Sequence, residues 1–305
     1  MSRFSKTTIY GIAILITIVF IGVGYAFLSS DLSLNGLVSV KKHEKDEEES
    51  KIVCKRAENL HEEICNSEDG NGCKAVGYNA GDKITYGSLG TKGTFKAGDA
   101  FDCDVNGDKE YNPSTERFYY ISDLNTDNNY AVLIYYNNIS NGVPTNNASY
   151  AYDKSNKPRT NGLITALPQL ISTSTWSNIS LSSTTRKLTD EKGTEYMDFN
   201  YEGRVTRLPT YNEIVNACGS GNITAKNYLN NCIYLAENTK YTDNSLLYGY
   251  WLENLSASYA SQVWRVSGYD RNLNVRNANS VGAKGYAVRP VIEVKKSEIS
   301  YWRRY

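Results

Sequence analysis

The distribution of apolar positions divides the chain into three stretches. From Ile9 to Leu28 the residues read IYGIAILITIVFIGVGYAFL, apolar all round and without a charge. A run of roughly 20 such residues matches the hydrocarbon core of a bilayer, and a helix with no polar face does not suit the surface of a globular domain. The pattern predicts a transmembrane signal anchor over 8–29. The stretch 41–51, KKHEKDEEESK, has no apolar periodicity and reads as a solvated stalk within 30–52. Beyond it the apolar residues come in short bursts. KITYGSL, GTFKAGDAFDCDV, RFYYISDL, NYAVLIYYNNI, LLYGYWLENL, SQVWRVSGY, LNVRNANS and GYAVRPVIEV are rich in β-branched and aromatic residues, with Gly, Asn and Asp clusters between them. These are strand signals. RFYYISDL and NYAVLIYY, with NTDN between, predict a hairpin. Two segments switch to helical spacing. Leu163, Ala166, Leu167 and Leu170 share one face, interrupted by Pro168. Thr210 followed by Glu213 makes a capping box in front of Ile214, Val215 and Ala217.

Flanking charge orients the first stretch. Arg3 and Lys6 precede it, which makes residues 1–7 a cytoplasmic tail and places the rest outside the cell. Gly24-Tyr25-Ala26 leaves a second reading open, secretion after cleavage near Ala26. An outside location decides how the cysteines are read. Cys54, Cys65, Cys73, Cys103, Cys218 and Cys232 all follow the apolar run and are even in number, so they read as disulfides. Cys218 and Cys232 form a local pair around CGSGNITAKNYLNNC. Cys65 and Cys73 bracket CNSEDGNGC, which leaves Cys54 with Cys103, although four cysteines allow three connectivities. No CxxC occurs and His61 is the only histidine nearby, which disfavours zinc.

Composition narrows the chemistry. Lys+Arg 33 and Asp+Glu 33 cancel to a formal net charge of zero, against a nucleic-acid partner. The 2 histidines are His43 in the stalk and His61 in the Cys-rich stretch, and there is no G-x-S-x-G, so nucleophilic catalysis lacks its parts. CGSGN and YGSLGTKGT lack the Lys-Ser/Thr ending of a phosphate loop. Tyr 25 stands against Phe 7. Most of these rings (Tyr111, Tyr119, Tyr120, Tyr135, Tyr136, Tyr248, Tyr250, with Trp251 and Trp264) fall in strand-like segments and are expected in the core and on sheet faces. Tyrosines in loops around 147–151 and 241–250 are the first choice for an exposed binding face.

One segment has metal-ligand spacing. Asp102, Asp104, Asn106, Gly107 and Asp108 read D-x-D-x-N-G-D, hard oxygens alternating before a sharp turn. The acid that closes a full EF-hand loop is replaced by Pro113, and Glu110 or Glu116 could substitute. Asp102, Asp104, Asn106, Asp108 and Glu110 are the candidate calcium ligands. A plain Asx-rich turn is the other reading. No other cofactor is implied.

The segment 204–294 resembles a C-type-lectin-like domain of the sulfatase-modifying-factor (formylglycine-generating enzyme) lineage, as found in uncharacterised surface proteins of gut Bacilli and Clostridia. The carrying residues are Arg207-Leu208-Pro209-Thr210, Tyr250-Trp251-Leu252, Trp264-Arg265-Val266 with Gly268, and Tyr286-Ala287-Val288-Arg289-Pro290-Val291. Glu253 stands where the lineage usually has Arg. The few helices and many strands predict an α+β fold, which the resemblance makes C-type-lectin-like, with mostly antiparallel strands, two or three short helices and long loops. A Cys-rich amino-terminal part would cover 53–110, a lectin-like domain 111–296 and a tail 297–305. Arg207 and Arg289 flank extended segments and are expected to pair with carboxylates such as Glu213, and Trp251 and Trp264 to fill the core. The lineage's late cysteine pair is absent, as are the E-P-N, Q-P-D and W-N-D calcium motifs of sugar-binding lectins. The expected function is therefore non-catalytic, adhesin-like recognition of a surface glycan or protein. A structural envelope protein and a hydrolase with an unrecognised carboxylate pair are the alternatives.

Overall fold

The computed structural model describes residues 51–64, 83–90, 94–140, 143–144, 170–236, 249–259, 262–268, 270–277 and 286–300. The chain divides between Lys51 and Ile52, and the described residues from Ile52 onward belong to the second unit. The expected membrane span 8–29, the stalk, the helix around Leu163 and the Cys65–Cys73 bridge lie outside the described residues. No helix among those described is long and apolar enough to cross a membrane.

Six strands form the main sheet. They are β1 (Cys54–Arg56), β4 (Ala100–Cys103), β5 (Arg117–Leu124), β6 (Asp127–Tyr135), β14 (Val291–Lys295) and β15 (Ile299–Ser300), in the order β14-β6-β5-β4-β1-β15. All neighbours run antiparallel except β1 and β15, which pair in parallel through Cys54↔Ile299 and Lys55↔Ser300. The two ends of the body thus lie side by side on one edge. Shorter pieces attach around this sheet: β2 (His61–Ile64) with β3 (Lys83–Tyr86), β7 (Ile139–Ser140) with β8 (Val143–Pro144), and β9 (Thr185–Thr189) with β10 (Glu195–Asn200). A three-stranded antiparallel sheet holds β11 (Gly249–Leu255), β12 (Gln262–Ser267) and β13 (Asn272–Asn277). Gly249 opens β11 at φ +110°, and a Cβ there would sit 1.8 Å from the Val266 carbonyl oxygen, so the position admits only glycine.

The α+β lectin-like architecture expected above is corrected. Among the described residues, fifteen strands in five sheets stand against one α-helix, α1 (Tyr211–Cys218), and two 3-10 segments, Tyr228–Leu235 and Lys296–Glu298. The body is mostly β. The physical reason is local. The capping box is real: Thr210 Oγ1 accepts from the Glu213 amide at 3.2 Å and Glu213 Oε2 from the Thr210 amide at 2.8 Å. The helix nevertheless stops after two turns at Gly219, which sits at φ +83°.

The hairpin of β5 and β6 is tighter than NTDN suggested. Only Asn125 and Thr126 separate Leu124 from its partner Asp127. From Arg117 to Ile121 and from Ala131 to Tyr135 every residue is buried, so both faces of these strands are covered and period-two alternation disappears. Tyrosine serves here as a core residue with a polar end. Tyr135 donates to the Thr115 carbonyl at 3.0 Å, Tyr136 to that of Ser114, and Tyr120 to Asp123 Oδ1 at 2.7 Å. Burial pushes all three hydroxyls above the usual phenol range.

Candidate metal site

Strand β4 ends at Cys103, and Asp104 turns out of the sheet. Its amide donates to the Val53 carbonyl at 2.8 Å, beside β1. Successive side chains then fold the loop upon itself. Asp104 Oδ1 accepts from the Gly107 amide at 2.8 Å, Asn106 Oδ1 from the Asp108 amide at 3.0 Å, and Asp108 Oδ1 from the Glu110 amide at 2.8 Å. Gly107 and Lys109 both take positive φ, +84° and +67°. A distant segment clamps the loop: Asn178 Nδ2 donates to the Asp104 carbonyl at 2.6 Å, and Ser177 Oγ to that of Asn106 at 2.8 Å.

This folding brings three carboxylates together. One oxygen from each of Asp104, Asp108 and Glu116 lies within 4.8 Å of the other two. Glu116 is 3% exposed, and its Oε2 accepts from the Asn112 amide at 2.9 Å. Its Oε1 is buried and has no hydrogen-bond partner. An unpartnered buried carboxylate oxygen is costly, and two more carboxylates beside it make it costlier. Burial first, then the charges of Asp108 and Asp104, push the Glu116 carboxyl up to about 7, against the pull of the Asn112 and Val105 amides. A hard divalent cation would supply the missing partner and cancel the repulsion, and oxygen-only donors suit calcium.

Two of the five expected ligands enter this cluster, Asp104 and Asp108. Asn106 turns its Oδ1 and Nδ2 onto Asp108. Asp102 stays in β4 and faces Arg117, whose Nε donates to Oδ1 at 2.5 Å and Nη2 to Oδ2 at 3.3 Å. Glu110 is exposed and caps Asp108 through its backbone. The third carboxylate is Glu116, weighed from the sequence only as a substitute. Counted from Asp104 the loop reads D-x-N-x-D, with Lys109 sixth, at positive φ where such loops keep glycine, and Glu116 thirteenth.

A second polar cluster is fully internal. Arg207 donates through Nη2 and Nη1 to both oxygens of Glu213, at 2.6 and 2.9 Å, and through Nε to Glu293 Oε1 at 2.7 Å. Arg186 reaches Glu253 and Glu293 at 3.4 Å each, Tyr201 donates to Glu253 at 2.9 Å, and the Ser182 amide and hydroxyl complete Glu293. Arg207 thus joins α1 to β14, and Glu253 is accounted for by Arg186 and Tyr201. Arg289 binds the Tyr135 and Tyr136 carbonyls at 2.7 and 3.1 Å and lies over the Tyr250 ring. Trp251 is fully buried; Trp264 packs on Tyr211 and donates to Glu191 at 2.9 Å. Tyr250, expected both as a strand residue of the core and at the end of the 241–250 loop, is buried in β11, as the first of these has it; the loops 147–151 and 241–248 lie outside the described residues. Cys54 is bonded to Cys103, and Cys218 to Cys232.

His61 ties the β2–β3 hairpin to the main sheet. Its Nε2 lies 2.6 Å from the Pro113 carbonyl, its Nδ1 3.4 Å from the Tyr119 hydroxyl, and its ring 4.7 Å from that of Tyr136. Burial, then the Arg117 charge, lower its pKa to about 4 from an ordinary 6.5. The folded state therefore favours neutral imidazole. Its contribution is complete above pH 6.5 and is lost as pH falls toward 4. In urea melts, the stability gap between the native chain and His61→Asn should narrow steadily from pH 7 to pH 4. A pH-independent gap would refute this.

No family model, no curated protein and no solved structure matches the chain.

Proposed function

We propose that the protein is a membrane-anchored, non-catalytic surface-recognition protein whose outer body is locked by a calcium ion between Asp104, Asp108 and Glu116. The observation that carries the metal reading is the buried, unpartnered Oε1 of Glu116 facing two further carboxylates. The outer location is supported by the apolar run 9–28 behind Arg3 and Lys6 and by the Cys54–Cys103 and Cys218–Cys232 bonds. The ligand class, a surface glycan or protein, follows the resemblance of the 204–294 segment. Calcium here fixes a loop that is sewn to β1 through Asp104 and to the 177–178 segment, so its role is to hold the body's edge in one arrangement.

Thermal melts of the chain in detergent test the metal reading. Calcium at about 100 times its dissociation constant stabilises a folded state by about 2.7 kcal/mol, so the melting temperature should rise with calcium and fall back with chelator. Asp104→Ala and Glu116→Gln should abolish the rise. In chelator, Glu116→Gln should melt no lower than the native chain, because a neutral amide does not repel Asp104 and Asp108. No rise in the native chain sinks the calcium reading. Binding to a glycan array and to matrix proteins, with and without calcium, tests recognition, and a null result across both surfaces ends it.

A further inference from the structure

The three-stranded sheet carries a charged row that the calcium loop does not explain. Trp251 of β11, Arg265 of β12 and Asn274 of β13 are direct cross-strand partners, so their side chains leave the same face of the sheet, with neighbouring Cβ atoms about 5 Å apart. The Tyr286 ring lies 5.2 Å from Trp251, edge to face, and 4.1 Å beneath the Arg265 guanidinium. Arg265 is 7% exposed, and its Nε is buried without a hydrogen-bond partner. Among the described residues no carboxylate forms an ion pair with it. Beside it, Asn274 donates its Nδ2 to Asn272 at 3.2 Å, and its Oδ1 is buried with no donor. Arg276, two residues further along β13, adds a second positive charge on the same face.

This is an incomplete polar site. A guanidinium held in place by an aromatic face, with a free donor and, among the described residues, only Asp270 acting on it and not as an ion pair, lacks an anion of planar or trigonal shape. An amide oxygen one strand away lacks a donor. We propose that the Arg265–Asn274 row, floored by Tyr286, binds an oxyanion that carries a neighbouring hydroxyl, as a sugar acid or sulfated sugar does: the carboxylate or sulfate on Arg265, the hydroxyl donating to Asn274 Oδ1. Burial first, helped by the Arg276 charge, pulls the Arg265 pKa down to about 10, against the opposing pull of Tyr286 and Asp270. The inference stands on this face alone. It does not depend on the calcium loop, and a null glycan array, which samples only immobilised glycans, would not decide it.

The full chain in detergent, at matched ionic strength, is titrated with glucuronate, glucose 6-sulfate, acetate, inorganic sulfate and glucose, and the thermal midpoint is read. Glucuronate or glucose 6-sulfate should raise it at concentrations about tenfold below those at which acetate or inorganic sulfate act. Glucose should do nothing. Arg265→Met should lose the response, yet melt no lower than the native chain in anion-free buffer, because it removes an uncompensated buried charge. Arg265→Lys should keep part of the response, and Asn274→Ala should reduce the sugar acids to the strength of acetate. Three results would overturn the proposal: no anion shifts the native midpoint, Arg265→Met responds as the native chain does, or Arg265→Met melts well below it without anion. Equal strength of acetate and glucuronate would overturn the hydroxyl half.

Discussion

Arg207→Met should destabilise the folded body by about 3–5 kcal/mol, the range found when one partner is removed from a buried ion pair. Arg207 is fully buried and bonds Glu213 twice and Glu293 once, Glu293 being wholly buried as well. Without the guanidinium, two carboxylates remain inside with no comparable cation. Arg186 offers Glu293 only a 3.4 Å contact from a side chain that is 19% exposed. Arg186→Met should therefore cost clearly less. Glu213 has a second role as the N3 residue of the capping box, and glutamine fills that role too. Glu213→Gln thus isolates the charge from the cap and should fall between the two arginine variants. Urea denaturation midpoints of the three variants, compared at constant slope, decide the order. If Arg207→Met costs less than Arg186→Met, this network is not what holds α1 to β14.

These two elements illustrate what could be read from the sequence. The capping box at Thr210 and Glu213, the hairpin of β5 and β6 and the Cys218–Cys232 bond are local, with separations of 3, a few and 14 residues, and local signals survive in sequence. The Glu293 partner of Arg207 lies 86 residues away, and nothing in the spacing selects it over other acids. The lectin-like α+β reading failed on a related point. That reading rested on two helical segments among many strands; one of them, α1, is two turns long, the other lies outside the described residues, and the strands dominate. The metal loop shows a finer ambiguity. D-x-D-x-N-G-D can be framed from Asp102 or from Asp104, two residues apart. The choice depends on where β4 ends, and that is set by the pairing of Asp102 with Arg117 across the sheet. A frame begun at Asp104 puts Glu116 one place past the closing position, against three places past it from Asp102. The tyrosine excess was read partly as loop surface. In the described residues much of it is core, each buried hydroxyl of Tyr120, Tyr135 and Tyr136 given an acceptor by its own neighbourhood.

Removing the Cys54–Cys103 bond by the paired change Cys54→Ala and Cys103→Ala should lower stability by about 4 kcal/mol, and the corresponding change at Cys218 and Cys232 by about 3 kcal/mol. The difference comes from loop length. Closing 49 residues removes more freedom from the unfolded chain than closing 14. The consequences should also differ in place. Cys54 and Cys103 face each other across β1 and β4, and β1 in turn holds β15, the last described strand. Without the bond this edge of the sheet loses its covalent tie, while β5 and β6 keep both their neighbours. Hydrogen exchange should show protection falling first in β1 and β15 and least in β5 and β6. The loss should reach the metal loop as well, because the Asp104 amide bonds Val53, Tyr111 donates to the Ile52 carbonyl at 3.1 Å, and Lys55 lies 3.8 Å over the Tyr111 ring. The calcium-dependent rise in melting temperature should accordingly shrink in the Cys54/Cys103 variant and remain intact in the Cys218/Cys232 variant. Equal calcium responses in the two would show that the loop holds its shape without β1, and that the disulfide and the metal stabilise the body independently.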